Sequence, residues 1–92
     1  MKDTKIIRLI EEVLRLHREG FSSEESVATD LIIVIARYGS QENFDALPDW
    51  AKDEVKKKLD NYRKTGIWTS LSNAGLKDLS NFADIFMKKI KL

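Results

Sequence analysis

The longest uninterrupted apolar stretch of the chain, Leu31 to Ala36, restricts the possible folds more than any other feature. Its β-branched residues would also suit a buried strand. However, Ser22 and Glu25 have the spacing of a capping box, and the segment that follows is long enough for a helix over 23–38. A helix that is apolar on nearly every side must be covered on most sides. We therefore place this helix at the centre of a bundle.

Two flanking segments have the periodicity of amphipathic helices. Residues 4–19 carry apolar side chains at spacings of three and four, and Gly20 suits the left-handed end of such a helix. Residues 48–64 begin with Pro48, whose missing N–H costs nothing in the first turn of a helix. One apolar stripe runs along this second segment: Ala51, Val55, Leu59 and Tyr62. Residues 39–47 are then the long connection.

A last helix is predicted within 76–90, where apolar residues again recur at helical spacing. Its start stays open, because Asn73 and Ser80 both suit an N-cap. The preceding segment 67–72 is β-prone, but no second strand of similar quality is available to pair with it. We interpret 67–72 as an extended connector packed on the bundle, or as a strand edge that awaits a partner.

The predicted fold class is therefore all-α. A length of 92 residues fits one domain, which we expect to span 1–92. Its four helices are expected at about 4–19, 23–38, 48–64 and 76–90, with the extended connector at 67–72. No apolar run approaches the roughly 20 residues of a membrane span, and the first residues lack a signal-peptide core. We expect a cytoplasmic protein with no membrane partner.

The residues that usually carry catalysis are scarce. The chain has no cysteine, which excludes disulfides, thiolate zinc sites and a cysteine nucleophile. The single histidine, His17, has no neighbour at three or four positions that could orient it or share a metal, so we interpret it as a partly buried helix-end residue. No nucleotide-binding glycine loop, nucleophile elbow or zinc-binding helix motif is present. We predict a protein that is not an enzyme, with no cofactor and no metal site.

Asp30 interrupts the apolar central helix and has two readings. If it is buried among its apolar neighbours, the pKa of its carboxyl is raised. If it marks the one solvated strip of the helix, it needs no special role. The second reading is the more frequent one in helices of this kind, and we favour it.

Charge is nearly balanced, with 16 Lys and Arg against 15 Asp and Glu, so the chain lacks the strong field of most nucleic-acid binders. A basic run nevertheless lies in 52–64. Three of its lysines have an acid four positions earlier, which indicates a solvated helix face with internal ion pairs. Lys52, Lys56 and Arg63 have none. They would carry the alternative function, a nucleic-acid-binding regulator that uses the helix 48–64, which we disfavour.

Large side chains beside connections are the candidate contact residues for a protein partner. They are Phe44, Trp50, Ile67 and Trp68. Tryptophan dominates the energetic hot spots of protein interfaces. The alternative is that these side chains cover the open end of a small core.

These observations together predict a small helical protein that acts by protein–protein interaction. Its size and helix count resemble those of small bacterial immunity, anti-toxin and adaptor proteins, a resemblance of class without a shared motif. The expected partner is another protein of unknown identity. A homodimer is also possible, because the strongly apolar central helix and the unpaired segment 67–72 allow a core that includes a second copy.

Overall fold

The structure, a computed structural model, describes residues 4–66, 69–72 and 75–92, with the backbone alone for 69–72 and 75–78. Four long helices account for most of it, which confirms the all-α prediction. In chain order the elements are α1 (Thr4–Arg18), α2 (Glu24–Tyr38), α3 (Gln41–Asp45), α4 (Asp49–Thr65), β1 (Thr69–Ser72), β2 (Gly75–Asp78) and α5 (Ser80–Lys89).

Helix α2 lies at the centre, as its apolar sequence predicts. It packs against α1, α4 and α5, whereas α4 and α5 touch each other over a smaller area. Its buried residues are Val27, Ala28, Leu31, Ile32, Ile35 and Ala36. Burial of each Leu or Ile side chain stabilises the fold by about 1.5–3 kcal/mol, so this one helix organises the hydrophobic core.

The capping box predicted at Ser22 and Glu25 is wrong by one residue. Ser23 is the N-cap of α2, and its Oγ accepts a hydrogen bond from the backbone N–H of Ser26 at 3.1 Å. The backbone carbonyl of Ser22 instead lies 2.8 Å from Nδ1 of His17, and the carboxylate of Glu25 reaches Lys58 of α4 at 2.9 Å. Both residues of the predicted box therefore serve contacts outside α2.

The connection 39–47 contains a helix that the sequence analysis does not predict. The backbone N–H of Ser40 donates to Oδ1 of Asn43 at 2.9 Å, which is half of a capping box at the start of α3. Gly39 precedes it because a Cβ at that position would lie 2.9 Å from Cα of Ile35. The chain can thus turn sharply from α2 into α3.

The extended connector is also corrected. Its residues 69–72 form β1, and the expectation that no strand is available to pair with this segment is wrong. Strand β1 pairs with β2 in antiparallel fashion, with Thr69 opposite Asp78 and Leu71 opposite Leu76. The last helix therefore begins at Ser80, and the predicted start at 76 is wrong because 76–78 belong to β2. Of the two suggested N-caps, neither occupies that position, which is held by Leu79.

The C-terminal residues fasten α5 to the end of α2. Nζ of Lys89 donates to the carbonyl of Ala36 at 3.2 Å, at the negative end of the α2 dipole. The backbone N–H of Lys91 donates to Oε1 of Gln41 at 2.7 Å, and Nε2 of Gln41 donates back to the carbonyl of Lys91 at 3.1 Å. These bonds hold α2, α3 and α5 together at one end of the molecule.

Two adjacent isoleucines of α2 differ in burial and provide a matched test of this packing. Ile32 is fully buried, whereas Ile33 is only half-buried. We expect Ile32→Ala to lower the free energy of unfolding by about 2–5 kcal/mol, because it leaves a cavity. Ile33→Ala removes the same atoms and should cost clearly less. Urea unfolding followed by circular dichroism measures both, and equal losses would contradict the described orientation of α2.

Candidate functional site

One side of α2 is not covered by α1, α4 or α5. It carries Ser26, Asp30, Ile33 and Arg37, whose spacings of four, three and four place them in a single stripe along the helix. Ser26, Asp30 and Arg37 are exposed, and Ile33 is half-buried. We call these four residues the open stripe of α2.

A groove of about 550 Å³ runs between the open stripe and α1. Its lining residues are Lys5, Ile6, Leu9, Ile33, Val34, Arg37 and Tyr38. Leu9 is exposed although it is apolar, and Tyr38 is 59% exposed. Most of the lining side chains are thus apolar or aromatic, and two of them, Lys5 and Arg37, are cationic. Apolar surface of this kind, bordered by polar groups, is typical of a binding groove.

The guanidinium of Arg37 is held in place by aromatic rings. Its central carbon lies 5.5 Å from the ring centre of Phe82 in α5 and 6.0 Å from that of Tyr38. Both distances suit cation–π attraction. Arg37 makes no ion pair with any residue that the structure describes. The groove thus contains a positioned cation whose charge no described carboxylate neutralises.

Asp30 lies on the same stripe, and both readings of it hold in part. It is exposed, as the favoured reading expects. Nevertheless, neighbouring side chains displace enough water from its carboxylate to raise the pKa of Asp30 above its usual range. Among the described residues it has neither a hydrogen bond nor an ion pair. The stripe therefore also carries an anion that is partly desolvated without compensation.

A second surface lies where the C-terminal end of α1 meets the start of α4. The rings of His17 and Trp50 pack with their centres 4.6 Å apart, at an interplanar angle of 34°. Trp50 is 36% exposed, and Phe21, next to the Ser22 that contacts His17, is 78% exposed. Contrary to the sequence analysis, His17 is thus oriented, by a backbone carbonyl and an indole ring. Its partly buried position at a helix end is as predicted.

The structure does not bring the four predicted contact residues together on one surface. Phe44 is buried, with 3% exposure, and packs edge-to-face on Phe86 with ring centres 5.9 Å apart. It therefore belongs to the core and offers no surface to a partner. Ile67 and Trp68 lie outside the described residues. Trp50 alone of the four is described as exposed, and Phe21 is an exposed aromatic residue that the sequence analysis misses.

The basic helix has different ion pairs from those predicted. Lys57 pairs with Glu54 at 3.5 Å and Arg63 with Asp60 at 4.0 Å, both three positions apart instead of four. Lys58 crosses to Glu25 of α2. Arg63 therefore has an acidic neighbour after all. Of the other two residues proposed for nucleic acid, Lys52 is half-buried and Lys56 is exposed.

No three His, Asp or Glu side chains in 4–66 and 79–92 are grouped so that they could hold a metal ion. None of the described helices has both the length and the apolar character needed to cross a membrane. Comparisons with protein-family models, curated proteins and solved structures gave no match for this chain.

The ion pair between Glu25 and Lys58 makes a pH-dependent contribution to stability. The Lys58 ammonium, by hydrogen bonding and then by its charge, lowers the pKa of Glu25 below its usual range. Because the folded state holds this carboxylate ionised more strongly than the unfolded state, the contribution is complete above the unfolded pKa. It is lost as the pH falls through the lowered pKa.

We expect Glu25→Gln to lower the free energy of unfolding by about 0.5 kcal/mol at neutral pH, since Glu25 is largely exposed. The difference from wild type should vanish in acid. The control is Glu24→Gln, which changes the same charge in the same helical turn without a partner on α4. Denaturant unfolding from pH 7 to pH 2 is the measurement. An equal effect of both variants would indicate the helix dipole rather than the ion pair.

Proposed function

We propose that this chain is a small non-catalytic helical protein that acts by binding another protein chain through the groove between α1 and α2. The observation that carries the proposal is the uncovered side of α2, with its exposed apolar lining and fixed cation. An immunity, anti-toxin or adaptor role fits the size and helical class of the chain and is part of the proposal. The cytoplasmic location expected from the sequence is also part of the proposal.

The chemistry of the groove supports a protein partner over a small substrate. Its lining offers apolar contact area from Leu9, Ile33 and Val34, with an aromatic and a guanidinium group at one end. Tyrosine and arginine are the residue types enriched in interface hot spots. An apolar strip between two helices also suits the packing of a further helix, in the way that amphipathic helices enter grooves.

The test is a substitution of an exposed residue in the groove. The tagged protein is produced in its own host together with an untagged copy of the chain. We expect Leu9→Glu to abolish the recovery of binding partners by the tagged protein, because a carboxylate would then lie in the apolar lining of the groove. Leu92→Glu is the control, since it makes the same change at another exposed leucine. Both should fold, because surface substitutions usually change stability by about 0.5 kcal/mol or less.

The outcome that contradicts the proposal is equally specific. If Leu9→Glu and wild type recover the same proteins in the same amounts, the groove is not the contact surface. If the tagged wild-type protein recovers neither a host protein nor its untagged copy, the proposed function itself fails. Each protein recovered from the host must also bind the purified chain directly, with the same loss in the Leu9→Glu variant.

The nucleic-acid alternative has its own test. Acidic residues are interspersed along α4, and two of its basic residues pair with acids of the same helix. We therefore expect no retardation of duplex DNA or RNA in a gel at low salt. Retardation that weakens steeply as salt rises and is lost in the Lys52→Glu, Lys56→Glu double variant would favour the regulator instead.

A further inference from the structure

The open stripe of α2 carries two opposite charges, which are complementary to themselves under a two-fold rotation about the point midway between them. Asp30 and Arg37 lie seven residues apart, which corresponds to about 10.5 Å along the helix axis. Ile33 and Val34 lie midway between them and line the apolar groove. An anion and a cation thus stand at equal distances on either side of an apolar centre.

We propose that the part of the open stripe from Asp30 to Arg37 packs against the same part of a second copy of this chain, antiparallel and across a two-fold axis near Ile33 and Val34, so that Arg37 of each copy pairs with Asp30 of the other. The inference rests on the proposed function, because it names the partner of the same groove. An interface of this kind uses one surface patch twice and closes into a dimer.

The direction of the two helices follows from the charges. The axis passes between positions 33 and 34. Two residues of the antiparallel helices therefore face each other when their residue numbers add up to 67. Position 30 therefore faces position 37 on both sides of the axis, and two attractive pairs form. A parallel arrangement in register would set Arg37 against Arg37 and Asp30 against Asp30, which is repulsive in both places.

The same pairs would supply partners to two charged groups that have no ion pair within the described residues. Asp30 is partly desolvated with no hydrogen bond or ion pair to the described residues. Arg37 has aromatic neighbours but no ion pair with a residue in the described part of the chain. The two cannot pair within one helix, because only positions three or four apart are neighbours on its surface. A second copy supplies each group with an opposite charge.

Exposed apolar side chains also lie on the two neighbouring helices. Leu9 lies on α1, and Ile85 lies on α5, three positions after the Phe82 that contacts Arg37. The exposed ring of Tyr38 extends the apolar surface at the end of α2. An apolar centre with charges at its edges is the usual composition of a dimer interface. A partner of a different sequence would need no such symmetry in this chain.

Charge reversal tests the pairing directly. We expect wild type to form a dimer in sedimentation equilibrium, and Arg37→Glu or Asp30→Arg alone to weaken it by at least about tenfold, because each places like charges together twice. The double variant Asp30→Arg, Arg37→Glu should dimerise again. An equimolar mixture of the two single variants should associate as well, since only the mixed pair joins opposite charges at both places. Lys56→Glu on α4 is the control and should dimerise like wild type.

Single cysteines give an independent test in a chain that has none. Position 33 lies beside the proposed axis, so Ile33→Cys should form an intermolecular disulfide on mild oxidation. Position 26 would face position 41, so Ser26→Cys on the same stripe should not. A parallel pairing would instead cross-link both variants. Circular dichroism of the reduced proteins checks that each variant is folded.

Three results would overturn the inference. The first is that the wild type stays monomeric at all concentrations reached. The second is that the double variant and the mixture of single variants both stay monomeric. The third is that position 26 cross-links as efficiently as position 33. The wild type could be monomeric and still bind a host protein that the Leu9→Glu variant does not bind. That result would support the proposed function but exclude the second copy as the partner. The failures of the two proposals are therefore distinguishable.

Discussion

The rest of the structure depends on the burial of the apolar run in α2. Each long helix places its apolar stripe on α2, and the C-terminal residues lock α5 onto the end of that helix through Lys89. Three helices pack around α2, and the residues that remain exposed along it include Ser26, Asp30 and Arg37. One side of α2 therefore stays uncovered in the described structure, and the candidate site is a direct consequence of the way the core is built.

The long helices were predictable because their apolar periodicity extends over several turns. The misplaced N-cap has a local cause, since Ser22 and Ser23 are equally suitable and tertiary contacts decided between them. Helix α3 has five residues, too few for a periodicity signal. Strand β2 contains Gly75, Lys77 and Asp78, residue types that are depleted in strands, so its pairing with β1 has no clear sequence signal.

The candidate site was predictable only in part, because exposure depends on packing between distant segments. Phe44 and Phe21 both lie between the long helices, yet Phe44 reaches Phe86 in the core and Phe21 remains in solvent. Nothing local distinguishes these two phenylalanines. The charges in α2 were a usable signal, because Asp30 and Arg37 share one helix face with Ile33. Only the structure shows that this face borders a groove with α1.

The polar residues of the open stripe also restrict what can bind there. A purely apolar groove would associate with many exposed apolar segments, whereas a partner that covers Asp30 must compensate a carboxylate that is already partly desolvated. A partner that covers Arg37 must do the same for a guanidinium held against two rings. Partners without matching charges therefore pay a desolvation penalty at both ends of the stripe. Under the proposed function, the two charges of the open stripe favour partners that carry matching charges.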